Sequence, residues 1–111
     1  MTPRDQAITN HLAERVCGFP RDEFWRAHGF CMVDGRVFDP ITDPRDCAIV
    51  MEAWRAQKGR LLIKLGLKEN FVSARQDDRV SIVKVLDLCE SWTEAVCESI
   101  GKASGFEWEE K

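Results

Sequence analysis

The stretch FDPITDPRDCAIVMEAW, from Phe38 to Trp54, leaves the least freedom to the fold of this 111-residue chain. Asp43 is a natural N-cap, because its carboxylate can accept from the free N–H groups of a helix's first turn. Pro44 then falls at the first helical position, where a missing N–H costs nothing, and Asp46 adds negative charge beside the positive end of the helix dipole. Cys47, Val50, Met51 and Trp54 recur with helical spacing, so one apolar face runs through to about Gln57, and Gly59 reads as the stop. The segment specifies a helix that must pack on a sheet or another helix. It names no chemistry.

The rest of the chain supplies what that helix packs against. Thr2 caps a first helix from about Pro3 to Cys17, with Ile8, Leu12, Ala13 and Val16 as a narrow apolar stripe and Gly18 as its end. Residues Phe19 to Ile41 read as irregular chain around one hairpin, Cys31–Met32–Val33 turning through Asp34-Gly35 into Arg36–Val37–Phe38. Three runs predict an antiparallel meander: Arg60 to Leu67, Asn70 to Gln76, and Val80 to Leu88, joined by Lys68-Glu69 and Asp77-Asp78-Arg79. In the third run Val80, Ile82, Leu86 and Leu88 share one face; it also fits a helical period, but its Val and Ile content favours a strand. A final helix opens on the capping box Ser91-Trp92-Thr93-Glu94 and places Trp92, Ala95, Val96, Ser99, Ile100 and Ala103 on one face. Residues 1–105 thus form one α+β domain, with 106–111 an acidic tail that is either disordered or docked through Phe106 or Trp108.

Composition narrows the class of function. Five cysteines, Cys17, Cys31, Cys47, Cys89 and Cys97, contain no C-x-x-C pair and are odd in number, which points to reduced thiols in the cytoplasm. The N-terminal segment lacks the apolar centre of a secretory signal, and no apolar run is long enough to span a bilayer. A net charge of -3 gives no global basic field, so nucleic acid is an unfavoured partner.

Chemistry-bearing residues are sparse. Of two histidines, His11 sits at the edge of the first helix and reads as a boundary imidazole. Cys17, His28 and Cys31 are the one cluster that could be considered for zinc, and their spacing matches no finger or ribbon. Cys31 with His28 could in principle form a thiolate and base, but a strand cysteine is ordinarily a small buried hydrophobe. The acidic pairs read as solvated caps, and no phosphate-loop, dinucleotide or zincin motif occurs, so neither a catalytic residue nor a cofactor is assigned. What remains is the aromatic loop Phe19, Arg21, Phe24, Trp25, Arg26, His28 and Phe30. It reads either as a satellite core or as an interaction surface, since aromatics beside arginine have the composition of an interface hot spot.

Three segments resemble a family of small phage and prophage proteins described as the phage ABA sandwich domain. Leu12 to Phe19 is similar to the family's opening helix and exit, although Cys17 and Phe19 stand where other residues are usual. Phe38-Asp39-Pro40 through Trp54 is similar to its second block, and Ala95-Val96-Cys97 to its last helix, from which Glu98 and Ser99 depart. The resemblance implies an α/β/α sandwich with a small antiparallel sheet between helices, and a phage or prophage origin. It transfers no chemistry. The expectation is a nonenzymatic protein that binds a host bacterial protein, such as an anti-defence, anti-CRISPR-like inhibitor. The alternative is a small-ligand or nucleotide-binding domain, and exposed sheet edges leave a homo-oligomer open.

Overall fold

A computed structural model describes residues 2–65, 70–84 and 92–108. Helix α1, Pro3–His11, starts where Thr2 accepts from the Asp5 N–H, and continues as a π-helical segment, Leu12–Val16, in which the Cys17 N–H reaches Leu12 O at 2.9 Å. Its extent matches the sequence expectation, while the wider pitch of its last turn does not register in a periodicity. Ile8, Leu12, Ala13 and Val16 are buried as expected, with Thr9 among them.

The segment expected to be irregular contains a short helix, α2, Glu23–His28. Asp22 accepts from the Trp25 N–H at 2.8 Å and Gly29 closes the helix at φ 82°. The hairpin follows as expected: β1, Met32–Val33, pairs antiparallel with β2, Arg36–Val37, and the turn residues Asp34 and Gly35 have φ of 51° and 77°. Both central residues at positive φ is the geometry that matches the twist of the flanking strands.

Helix α3, Pro44–Ala56, is capped by Asp43, whose carboxylate accepts from the Arg45 N–H at 2.9 Å. Cys47, Val50 and Trp54 are buried. The left-handed residue after the helix is Lys58, at φ 64°, and not Gly59. Gly59 matters for a different reason. A Cβ there would stand 2.4 Å from the Trp54 ring, so its absent side chain is what lets the chain pass the indole.

The meander is present, with β3 (Arg60–Leu65), β4 (Asn70–Gln76) and β5 (Arg79–Lys84) antiparallel in that order. The strand reading of the third run therefore holds through Lys84. Its continuation through Leu86 and Leu88, the Lys68-Glu69 turn and the Ser91 cap lie outside the described residues. Register places Leu61 opposite Ala74 opposite Ser81, and Ile63 opposite Val72 opposite Val83, and this is the face turned toward the helices. Val80 and Ile82 do share a face, but it is the outer one.

The last helix, α4, Trp92–Ala103, packs on β4 and β5 on one side and on α1 and α3 on the other. Its side chains from Ala95 to Gly101 are buried almost all round, whereas Trp92, expected on the packed face, is substantially exposed. The Ser99 hydroxyl bridges the sheet, 3.2 Å from Val72 O and 3.1 Å from Ser81 O. Phe106 docks, packing against the core, while Trp108 is exposed. The α+β class expected from the sequence is the class observed, with small antiparallel sheets packed against helices. Within it, α4 covers β4 and β5 and α3 reaches β3, while α1 and α3 lie against the other side of α4, so that α4 is enclosed on both sides.

Candidate functional site

The aromatic segment divides between core and surface. Trp25 is 1% exposed and belongs to the core, with the Arg21 guanidinium 4.6 Å from its ring. Phe19 is half-buried and meets the buried Phe38 edge-on at 5.5 Å. Phe24, His28 and Phe30 form a separate cluster on the outside of α2, with ring centroids 4.2 Å apart for Phe24–His28 and 5.5 Å for Phe24–Phe30. Helical spacing puts Phe24 and His28 one turn apart on the same side, and Gly29 folds Phe30 back against them. Arg21 is paired with Glu14, and Arg26 is exposed two residues from Phe24, a spacing that puts it on another side of α2. A helix start at Asp22 and a glycine stop at Gly29 could have shown this division in the sequence, since they place Trp25 and Phe24 on different sides.

The residues weighed for chemistry sit in structural surroundings. Burial pushes the Cys17 thiol up to about 12, with Cys31 adding to the effect. Cys31 is also raised by burial, and Asp22 and Asp46 reinforce this against its own backbone N–H. Both shifts disfavour a thiolate. Cys47 and Cys97 are fully buried between α3 and α4, where the contact between the two thiols holds Cys97 well above its usual value. Among the described residues, no group of three or more His, Cys, Asp or Glu side chains is placed to hold a metal ion. No described helix is long and apolar enough to cross a membrane.

His11 is half-buried between Ser104, whose hydroxyl lies 2.8 Å from Nε2, and the Phe106 ring. Burial, then the neighbouring Arg15, lowers its pKa below 6.5, with Glu14 opposing. Because the unfolded chain then binds the proton more readily, the stabilisation from neutral His11 is complete above pH 6.5 and is lost as the pH falls toward the folded value. Urea unfolding between about pH 7 and 5 should show stability falling on acidification, and His11→Gln should make that slope shallower. An unchanged slope would show that the imidazole is not held neutral.

The feature that sequence reasoning missed is the outer face of the β3–β4–β5 sheet. Leu62, Val80 and Ile82 are 58%, 56% and 63% exposed. They stand beside Ser73, Phe71, Arg60, Arg75 and Lys64 on one surface, with the Lys64 ammonium 5.9 Å from the Phe71 ring. The signal was available in Leu61-Leu62-Ile63, because three consecutive apolar residues in a strand must place at least one on each side of the sheet. Open concavities lie at the sheet, the first beside this outer face and the second on the sheet's helix-facing side. One of about 280 Å³ is lined by Lys58, Arg60, Arg75 and Asp77, and one of about 380 Å³ lies between α3 and β3, lined by Met51, Trp54, Leu61 and Ile63 among others.

The fold defines a small α+β domain with one helix-covered and one open sheet face. No protein family, curated protein or solved structure matches the chain.

Proposed function

We propose that the chain is a phage- or prophage-encoded, nonenzymatic protein that acts by binding a host bacterial protein, in the manner of an anti-defence inhibitor. The origin rests on the resemblance of three segments to small phage proteins. The binding role is carried by one observation, the exposure of Leu62, Val80 and Ile82 together on the outer sheet face. Aliphatic side chains grouped on one open sheet face, with Val80 and Ile82 neighbours on β5 and Leu62 across Ser73, mark an interaction site, because leaving them in water forgoes the free energy that burial would return. The Phe24–His28–Phe30 cluster is a second, smaller contact surface in the same proposal.

The test is recovery of a specific partner from a bacterial host lysate. Leu62→Thr with Ile82→Thr keeps strand-forming residues at exposed positions while removing the aliphatic surface, and should lower partner recovery about tenfold or more. Phe24→Ala probes the α2 cluster. Trp25→Ala is unsuitable for this purpose, since Trp25 is core. Unchanged recovery by the Leu62/Ile82 double variant would remove the sheet face from the proposal. The small-ligand alternative would use the concavity between α3 and β3, and a thermal shift with nucleotides would detect it, because a ligand that binds only the native state raises its stability.

A further inference from the structure

We infer that the open sheet face takes an acidic protein surface, one whose apolar centre seats on Leu62, Val80 and Ile82 and whose carboxylates reach Arg60 and Arg75; this rests on the binding role proposed above. Arg60 and Arg75 are direct cross-strand partners in the β3–β4 register, and both side chains are exposed on the outer face. Like charges directly opposite one another repel, and among the described residues neither guanidinium makes an ion pair. Lys58 joins them around the same concavity, whose described lining includes a single acid, Asp77.

The outer-face residues Arg60, Leu62, Lys64, Phe71, Ser73, Arg75, Val80 and Ile82 include three cations and no acid, although the chain as a whole carries a net charge of -3. Positive charge therefore accompanies the exposed aliphatic side chains of this sheet face. That combination selects an anionic partner by electrostatic steering and by bidentate arginine–carboxylate pairing at the rim.

The chemistry distinguishes among anionic partners. A second copy of this chain would bring the same cations to both sides of the contact. A single-stranded nucleic acid would match the arginines through its phosphates, but its bases need ring surfaces to stack on. The middle of the face is Ser73, flanked across the register by the aliphatic Leu62 and Ile82, and its one ring among the described side chains, Phe71, has Lys64 standing over it. Aliphatic side chains on either side of Ser73 and guanidinium groups at one end of the face together fit a protein patch bearing leucine-like side chains among aspartates or glutamates.

Isotope-labelled protein should be titrated with four probes: an amphipathic peptide of leucine and glutamate, the same peptide with lysine in place of glutamate, a short oligothymidylate, and inorganic phosphate. The glutamate peptide should shift the amides of β3, β4 and β5 at Arg60, Leu62, Arg75 and Ile82, with affinity falling as salt rises. Arg60→Gln with Arg75→Gln should weaken it about tenfold, and Arg60→Lys with Arg75→Lys, which keeps the charge but loses the bidentate fork, should weaken it measurably but less. Equal binding of the lysine peptide, tighter binding of oligothymidylate or phosphate, shifts confined to another surface, or no binding would each overturn the inference. Those failures are separable from failure of the binding role itself. If charge proves irrelevant while the Leu62/Ile82 variant still loses its host partner, the acidic partner is wrong and the sheet interface stands.

Discussion

Replacing Asp46 with alanine should destabilise the native chain by about 3 kcal/mol, the largest loss expected from any single polar side chain described. Asp46 is fully buried at the start of α3, yet it is a carboxylate. Its Oδ1 accepts from Arg36 Nη2 on β2, and its Oδ2 accepts from the Asp39 N–H at 2.9 Å. Alanine would leave that backbone donor without its acceptor and take away the nearest counter-charge of Arg36. A buried group deprived of its partner bears its full desolvation cost, which exceeds the modest net worth of the pair itself. The estimate sits at the low end of the buried-pair range because Arg36 keeps about a quarter of its side chain exposed and has Asp34 and Asp43 within 3.7 and 3.9 Å. Asp46→Asn should cost less, since an amide oxygen can still accept from Asp39. Urea denaturation of the two variants checks this order, and equal stability of Asp46→Ala and wild type would contradict it.

Trp54→Ala should cost a similar or larger amount, about 3–5 kcal/mol. The Trp54 side chain is 1% exposed, and its indole N–H donates to Arg60 O at 3.1 Å, which ties the end of α3 to the first residue of β3. Alanine loses the buried ring area, opens a cavity and orphans the carbonyl. Gly59 supplies an internal control. Gly59→Ala should destabilise the wild type by about 1–3 kcal/mol, because its Cβ would stand 2.4 Å from the ring. In the Trp54→Ala background the same change meets no ring and should cost much less. Thermal or urea unfolding of the four proteins gives the coupling directly, and additive losses would show that Gly59 is not there for the indole.

Local signals in the sequence were read correctly where they act locally. The Asp43 cap, Pro44, and the spacing from Cys47 to Trp54 settle α3 because each interaction lies within a turn or two of its own residue. The Asp34-Gly35 turn fixed the hairpin for the same reason. Tertiary partners were not legible. Asp46 was read as a first-turn acid facing the helix dipole, whereas its main partners are Arg36 and Asp39. Gly59 looked like a helix stop, since a close approach to Trp54 leaves no mark on spacing. Helix α2 escaped notice because it is only six residues long, too short for a period to emerge. The outer sheet face was missed because alternation in β5 reads equally well in either phase. Val80 and Ile82 are the more apolar pair, yet Ser81 and Val83 face α4, where the Ser99 hydroxyl meets Ser81 O. Sequence reasoning placed the interaction surface on the aromatic loop, and of those residues Phe24 and His28 are exposed while Trp25 completes the core.

The central claim is that a partner covers the outer face of the sheet, and methyl-labelled NMR of the protein with its captured host partner tests it most directly. The methyl signals of Leu62, Val80 and Ile82 should shift or broaden when the complex forms, while those of the buried Val50 and Val72 stay in place. A complex that forms with the Leu62, Val80 and Ile82 methyls unchanged would contradict the account.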